Sequence, residues 1–227
     1  YPGYKDPAHI KLIAKNLEAL EKGEINRLAV FMPPRHGKSM LCSEFFPAWY
    51  LGNNPNEFVI QSTYAQELAD DFGRKVRNQI ASPDFNSVFP QVGLRADSSS
   101  AKRFHTMQGG TYSAVGAGGA ITGRGAHLLI IDDPIKGRED AESETQRRNL
   151  VEWYKSVAYT RLQPGGKIII IQTRWHQDDL AGHILAESKE DWKVLDLPAI
   201  DDKGNALWPE AYSKKDLEKI KDTVGQR

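Results

Sequence analysis

Residues 28–39 read LAVFMPPRHGKS, an apolar run that stops at a polar cluster. Two later segments repeat this arrangement: residues 128–134 read LLIIDDP and residues 168–176 read IIIIQTRWH. Short apolar runs that end at Gly, Pro or charged residues are typical of strands buried on both faces, as in a parallel sheet. Ligands of open parallel sheets bind beyond the carboxyl ends of the strands. We therefore expect the three polar clusters to converge on one ligand.

The rest of the chain alternates between helical and extended patterns. We predict helices over residues 7–23, 40–49, 65–78, 140–159 and 178–188, and another strand over residues 58–63. Clusters of Ser, Gly and Pro in residues 81–120 predict hairpins and loops. This alternation predicts an α/β fold with a mainly parallel central sheet flanked by helices. Polarity rises towards a charged final helix, so we divide the chain into a main domain, residues 1–190, and a lid or linker, residues 191–227.

The composition excludes several classes of protein. A hydrophobic fraction of 40% in 227 residues is enough for a core, and no apolar stretch is long enough to span a membrane. The single cysteine excludes an internal disulfide and suits a reducing compartment. Thirty basic and thirty acidic residues cancel, so a nucleic-acid partner would need a local basic stripe. Both ends look cut, and we expect a fragment of a longer protein.

The first polar cluster has the features of a phosphate-binding loop. Backbone N–H groups of a tight turn before a helix bind anionic oxygens, Lys38 would reach the β- and γ-phosphates, and the Ser39 hydroxyl would ligate Mg²⁺. The full pattern also requires glycine where Met32 stands. An ordinary strand–turn–helix junction is the alternative interpretation. The candidate nucleotide-binding residues are Pro34, Arg35, His36, Gly37, Lys38, Ser39, Met40 and, from the third cluster, Gln172.

The second cluster supplies two carboxylates at a strand end. We assign Asp132 to Mg²⁺ and Asp133 to the activation of water, because adjacent strand residues point to opposite faces. ATPases of this kind usually have Glu at the second position, so Glu139 and Glu142 stay open as alternative bases. A strand that ends in a solvated Asp-Pro turn is the other interpretation.

The third cluster suits a sensor, and two arginines are candidates for charge neutralisation. Gln172 and Thr173 are placed to hydrogen-bond the attacking water or the γ-phosphate. Phosphoryl transfer needs its developing charge neutralised, often by a guanidinium. Arg35 would act within its own subunit, whereas Arg124, between Gly123 and Gly125, is set like a finger offered to a neighbour. A solvated surface arginine is the alternative for both.

With these residues assembled, the chain resembles the ATPase domain of the large terminase subunit of tailed bacteriophages. The likeness covers nearly the whole chain, and its middle stretch is specific. The stretches that carry it are PPRHGKS (33–39), FPAWYLG (46–52), ELADDFGRKVRN (67–78), AVGAGGAITGRGAHLLIIDDPIK (114–136), IIIIQTRWHQDDLAG (168–182), LPAI (197–200) and ALWPE (206–210).

The resemblance implies a P-loop NTPase fold of the ASCE or RecA-like class and ATP hydrolysis with Mg²⁺. It also implies a homo-oligomeric ring in the host cytoplasm that threads double-stranded DNA through the portal protein into a procapsid, with the small terminase subunit as a partner. Family roles carry over to Lys38 and Ser39 (Walker A), Asp132 and Asp133 (Walker B) and residues 172–174 (coupling motif). Large terminases also carry a nuclease domain, and we expect no nuclease activity from this chain.

Two other functions remain open at this stage. A helicase or translocase could use the same core, although it would normally show a second RecA-like domain. A nucleotide-gated assembly module would use ATP to organise subunits and hydrolyse little of it. Stimulation of ATP turnover by DNA or by rising protein concentration would separate a packaging motor from the assembly module.

Overall fold

The computed structural model describes residues 7–121, 123 and 125–224. The strands are β1 (Arg27–Phe31), β2 (Phe58–Thr63), β3 (Leu94–Ser99), β4 (Arg103–Thr106), β5 (Thr111–Gly116), β6 (Ala126–Asp132), β7 (Leu162–Gln172) and β8 (Lys193–Asp196). The α-helices are α1 (Ala8–Glu21), α2 (Phe46–Asn53), α3 (Gln66–Ile80), α4 (Pro83–Val88), α5 (Arg138–Glu142), α6 (Glu144–Trp153), α7 (Leu180–Glu187) and α8 (Lys214–Val224). None of the helices in this part of the chain has the length and apolar character needed to cross a bilayer.

The strands form one sheet in the order β3-β4-β5-β2-β6-β7-β1-β8. From β5 to β8 every neighbouring pair is parallel, whereas β4 runs antiparallel to both β3 and β5. The predicted α/β class and the mainly parallel sheet are therefore confirmed, with an antiparallel extension at one edge.

Both faces of the central strands β1, β6 and β7 are buried, as the continuous apolar runs predicted. On β7, Ile169 and Ile171 point into a core shared with α1, α2 and α3. Ile168 and Ile170 point into a second core shared with α6 and α7. Each of these four isoleucines is fully buried, and each such side chain stabilises the fold by about 1.5–3 kcal/mol. Helix layers on both faces leave the strand ends as the place where polar groups can gather.

Residues 81–120 contain more regular structure than the sequence predicted. The antiparallel β3, β4 and β5 confirm the hairpins. Helix α4 was missed; it begins at Pro83, and the Ser82 hydroxyl accepts a hydrogen bond from the Phe85 backbone N–H (3.2 Å). The role of β5 was also missed, since it pairs in parallel with β2 and extends the central sheet.

The single long helix predicted over residues 140–159 is wrong. Ser143 is extended (ψ 111°) and separates α5 from α6. Its hydroxyl accepts the backbone N–H of Gln146, which makes Ser143 the N-cap of α6. Serine favours this position because its side chain satisfies a helix N–H group that has no partner within the helix. After Trp153 the chain continues as a π-helical turn, Tyr154–Ala158.

The helix predicted after Ser39 is present, but its first part is a π-helical turn, Met40–Phe45, that leads into α2. The single cysteine, Cys42, lies in this turn and is fully buried. Burial raises the pKa of the Cys42 thiol far above its ordinary value. The thiol is therefore protonated at neutral pH.

The segment after residue 190 contributes to the sheet. Strand β8 pairs in parallel with β1 at the edge of the sheet. The backbone N–H of Leu197 then donates to the carbonyl of Phe31 (2.9 Å), the last residue of β1. The division of the chain at residue 190 stays a prediction, but residues 193–197 are bonded to the strand that leads into the first polar cluster.

Candidate active site

The three polar clusters lie side by side at the carboxyl ends of β6, β7 and β1. In the parallel registers, Asp132 is opposite Ile171 and Phe31 is opposite Gln172. The segments that follow these strands therefore leave the sheet at the same edge. The predicted convergence of the clusters is confirmed, and their ligand is proposed below.

Lys38 connects all three clusters. Its Nζ lies 3.0 Å from Oδ2 of Asp133 and donates a hydrogen bond to Oγ1 of Thr173 (2.8 Å). The lysine side chain is only 6% exposed, against 29% for that of Asp133. A buried lysine needs a charged or polar partner because desolvation disfavours its ammonium form. The arrangement therefore fixes a positive charge at the ends of β6 and β7.

Asp133 is held in an unusual backbone conformation. Its φ of 41° lies in the left-handed region, which residues other than glycine rarely adopt. The backbone N–H of Asp133 donates to the carbonyl of Ile171 (2.8 Å), and its Oδ1 accepts the backbone N–H of Thr173 (2.6 Å). These bonds to the end of β7 offset the strain, which costs on the order of 1–3 kcal/mol. The result is a carboxylate aimed at Lys38 and Thr173.

Asp132 faces a different set of partners. It is 1% exposed, and its two oxygens accept hydrogen bonds from Ser39 Oγ (3.1 Å) and Ser43 Oγ (2.6 Å). Burial, followed by the neighbouring Asp133 carboxylate, raises the pKa of Asp132 to about 7. Asp132 and Asp133 thus address separate partners, as the sequence predicted for adjacent residues at a strand end.

Residues 33–39, the Lys38 loop, make a tight turn between β1 and the π-helical turn. Gly37 has a φ of 93°, and a Cβ there would lie 3.1 Å from Cδ1 of Ile10. Arg35 has a φ of 61°, so it is also left-handed. Met32, at the position where the full phosphate-loop pattern has glycine, is buried in the core. The residue before the loop, Met32, is therefore part of the core, and the glycine of the loop stands at residue 37, where the backbone is left-handed.

A comparison with protein families agrees with this geometry. The model of the N-terminal region of the terminase large subunit, T4-like virus type, matches residues 30–224. The chain belongs to this family. A search of curated proteins finds no match. The family places this terminase chain in a bacteriophage DNA-packaging motor.

The remaining candidate site residues of the terminase chain differ in their exposure to solvent. Pro34 and Arg35 are exposed at the tip of the Lys38 loop, Met40 is half-buried and His36 is 2% exposed. Gln172 is also buried, and its Oε1 has no hydrogen-bond partner among the residues that the structure describes. Arg124 lies outside the described residues, so its role as a finger stays a prediction.

The last residue of the predicted coupling motif, Arg174, joins the site to α7. Its guanidinium lies over the ring of Phe31, 4.8 Å from the centroid. Nε of Arg174 donates to Oδ2 of Asp179 (2.6 Å), while Oδ1 of Asp179 accepts the backbone N–H of Gly182 as the N-cap of α7. A movement of residues 172–174 would therefore be transmitted to the start of α7.

Two residues of this terminase site were missed from the sequence. Ser43 lies four positions after Ser39, a spacing that puts both hydroxyls on one helix face. This spacing could have identified Ser43 as a second partner of Asp132. His9 on α1 donates from Nε2 to the carbonyl of His36 (3.0 Å). No local pattern connects residue 9 with residue 36, so this contact could not be found without the fold.

The raised pKa of Asp132 predicts a specific dependence of stability on pH. In the unfolded chain the carboxyl has an ordinary pKa near 3.8, so the folded state holds its proton more tightly. Such a group stabilises the fold fully below the unfolded value, and that stabilisation is lost as pH rises towards 7 and above. We expect the thermal midpoint of Asp132→Asn minus that of the wild type to increase from pH 5 to pH 8, without nucleotide or metal. A constant difference would contradict the raised pKa.

Proposed function

We propose that this domain is the ATPase of a terminase motor and that it hydrolyses ATP with Mg²⁺ to translocate double-stranded DNA into a procapsid. The observation that carries the proposal is the meeting of Lys38 with Asp133 and Thr173 beside the Ser39–Asp132 contact. A lysine from a tight loop, a serine hydroxyl and two strand-end carboxylates are the groups that phosphoryl transfer requires.

The order of the strands supports assignment to the ASCE or RecA-like class of P-loop NTPases. β7, which carries Gln172 and Thr173, lies between the loop strand β1 and the acidic strand β6. A residue on β7 can therefore contact both the cation of the loop and the carboxylates. This topology agrees with a sensor strand inserted between the two motifs.

The chemistry of the donor set fits Mg²⁺. A serine hydroxyl and a carboxylate are oxygen ligands of the kind that this ion prefers. Burial and the neighbouring Asp133 carboxylate raise the pKa of Asp132, and a bound divalent cation would favour its ionised form. Ser39 and Asp132 would hold the ion, and when bound it would neutralise charge on the phosphate oxygens.

Asp133 is the proposed general base. A water molecule attacks the γ-phosphorus, the bond from that phosphorus to the β–γ bridging oxygen breaks, and Asp133 accepts a proton from the water. The departing ADP oxygen carries the electron pair of the broken bond, and Lys38 stabilises this charge. In the described structure Lys38 and Asp133 form an ion pair, so a bound γ-phosphate would compete for the lysine and free the carboxylate for water.

Thr173 and Gln172 are proposed to report the state of the γ-phosphate. Thr173 is bonded to Lys38 through its hydroxyl and to Asp133 through its backbone N–H. A change at either partner therefore acts on residue 173, and Arg174 passes it to α7 through Asp179. This path would join hydrolysis to movement of the motor.

The partners of the motor follow from the family and are proposals for this chain. They are double-stranded DNA, the portal protein, the small terminase subunit and further copies of the chain in a ring, all in the host cytoplasm. Arg35, exposed and left-handed in the Lys38 loop, is proposed to stabilise charge within its own subunit, and Arg124 is proposed to act on a neighbour.

Steady-state ATP hydrolysis, measured against protein concentration with and without duplex DNA, tests the proposed function. A packaging motor should show specific activity that rises with concentration, as subunits complete one another's sites, and that rises again with DNA. Nucleotide binding with little turnover under all conditions would support the assembly module instead. Stimulation by single strands in preference to duplex would support a helicase.

Ser43→Ala tests the contribution of the hydrogen bond between the Ser43 hydroxyl and Asp132. Hydrogen bonds to charged groups contribute about 1.5–3 kcal/mol, so loss of the 2.6 Å bond should weaken Mg²⁺-dependent nucleotide binding by roughly 10-fold or more. The matched control is Ser62→Ala, since Ser62 is equally buried but its hydroxyl has no partner among the described residues. Titration of Mg²⁺ at fixed nucleotide gives the measurement, and equal curves for the two variants would remove Ser43 from the site.

A further inference from the structure

The outer side of the Lys38 loop is enclosed by parts of the chain that are distant in sequence. His36, separated from Lys38 only by Gly37, is 2% exposed although it lies in a loop. Its Nδ1 donates to the carbonyl of Pro34 (2.9 Å), which closes the turn around Arg35. The remaining surface of the imidazole is covered from two directions.

Helix α1 covers the first side. Nε2 of His9 donates to the backbone carbonyl of His36 (3.0 Å), and His9 is itself 4% exposed. The next residue, Ile10, packs beneath Gly37, where its Cδ1 would lie 3.1 Å from an added Cβ. One end of α1 therefore contacts two consecutive residues of the loop.

Residues 206–212, the aromatic strap, cover the second side. The ring of Tyr212 stacks on that of His36 with centroids 4.8 Å apart and planes inclined by 20°. Trp208 lies 5.5 Å from the ring of His9 and 6.4 Å from that of His36. Burial, together with the neighbouring His9 and Lys38, lowers the pKa of His36, so the neutral ring takes part in the stack.

The strap is tied to the sheet near the same strand. The backbone N–H of Leu207 donates to the carbonyl of Ala199 (2.9 Å), and Leu197 is bonded to the carbonyl of Phe31. The chain therefore runs along β8 beside β1, passes the end of β1 at Leu197 and reaches the Lys38 loop again through the strap.

We propose that His9, Trp208 and Tyr212 are positioning residues that hold the Lys38 loop in its nucleotide-binding conformation, so that nucleotide binding and docking of the aromatic strap are coupled. The proposal rests on the proposed function, because the ligand is a nucleotide. The left-handed Arg35 makes the loop strained, and such strain persists only where surrounding contacts fix the backbone. The contacts of His36 with α1 and the strap are in place to do so.

Coupling between two sites is reciprocal. If the docked strap favours nucleotide binding, bound nucleotide must favour the docked strap by the same factor. The amides of Leu207 and Tyr212 report this docking, since Leu207 donates to Ala199 and Tyr212 donates to the carbonyl of Trp208 (2.9 Å). Their hydrogen exchange should therefore slow when nucleotide binds.

The test compares two variants with two matched controls in the full 227-residue chain. His9→Ala removes the bond to the loop, and Tyr212→Leu removes the stack on His36. His127→Ala removes a similar imidazole contact, to the backbone N–H of Phe58 (3.0 Å), at the amino ends of β2 and β6. Tyr159→Leu removes a partly exposed tyrosine packed against Tyr154. Affinity for Mg²⁺ and a fluorescent, non-hydrolysable ATP analogue is measured for each, with the thermal midpoint as a check on folding.

We expect His9→Ala and Tyr212→Leu each to bind the analogue roughly 10-fold more weakly, because each loses one hydrogen bond or ring contact. The two controls should bind it like the wild type. His9→Gln should recover much of the affinity, because its side-chain amide can donate to the His36 carbonyl. In the wild type, the analogue should slow exchange at Leu207 and Tyr212.

The outcomes separate this proposal from the proposed function. A wild type that binds the analogue, with His9→Ala and Tyr212→Leu unchanged and no slowing of exchange, overturns the coupling and leaves the ATPase assignment standing. Equal weakening in His127→Ala and Tyr159→Leu also overturns it, because the effect would then be general loss of stability. A wild type that binds no analogue contradicts the proposed function itself.

Discussion

Lys38→Ala should leave the chain folded but greatly reduce its hydrolysis of ATP. Lys38 supplies the cation at the ends of β6 and β7, where we propose that charge develops on the phosphate oxygens. Removal of one such preorganised group costs about 10²–10³ in turnover. Loss of ground-state contacts to the β- and γ-phosphates should also weaken nucleotide binding, so the loss in kcat/KM should exceed the loss in kcat.

Lys155→Ala is the matched control for Lys38→Ala. Lys155 forms an ion pair with Glu187 at 3.1 Å, but both side chains are about half exposed. Exposed pairs contribute only about 0–1 kcal/mol to stability, and neither residue of this pair belongs to the three clusters. The assignment of the Lys38 loop would be abandoned if Lys38→Ala turned over ATP at the wild-type rate while retaining its thermal midpoint.

Asp133→Asn should separate hydrolysis from binding. Asparagine tolerates the left-handed backbone that Asp133 adopts, and its side-chain oxygen can still accept the Thr173 N–H. It cannot accept a proton from water, so turnover should fall by ~10²–10⁴ with nucleotide affinity retained. Asp132→Asn should instead lose the dependence of binding on Mg²⁺. Single-turnover hydrolysis and equilibrium titration, performed on both variants, give the two quantities.

Glu139 and Glu142 provide the comparison for the base. Both are exposed on α5, and Glu142 lies 3.7 Å from Arg138. Glu139→Gln and Glu142→Gln should therefore hydrolyse ATP normally. If either variant is inactive while Asp133→Asn turns over at the wild-type rate, the base has been assigned to the wrong residue.

The sequence was sufficient for the parts of the fold that depend on local pattern. Continuous apolar runs at residues 28–32, 128–131 and 168–171 identified strands buried on both faces, and polar residues at their ends identified one edge of the sheet. The convergence of Lys38, Asp133 and Thr173 followed because parallel strands end at the same edge.

The local sequence pattern did not predict several other features of the fold. β8 is a short, largely exposed strand whose place is decided by pairing with β1, and only Leu195 among its four residues is buried. The break at Ser143 depends on a cap that competes with an otherwise helical sequence. The contact of His9 with His36 needs α1 to cross beneath the loop. For β8 and for His9, tertiary contacts decide the structure, whereas the break at Ser143 comes from a local cap.

The burial of Cys42 has a practical consequence for the study of movement. The only thiol of the chain is inaccessible and, with its raised pKa, protonated at neutral pH, whereas alkylating dyes react with exposed thiolates. A cysteine introduced at an exposed position, such as Val88 or Met107, would therefore be labelled selectively without mutating Cys42. Fluorophores could then be placed on the wild-type background of the Lys38 loop, the aromatic strap and α7, and their separations followed in single assemblies.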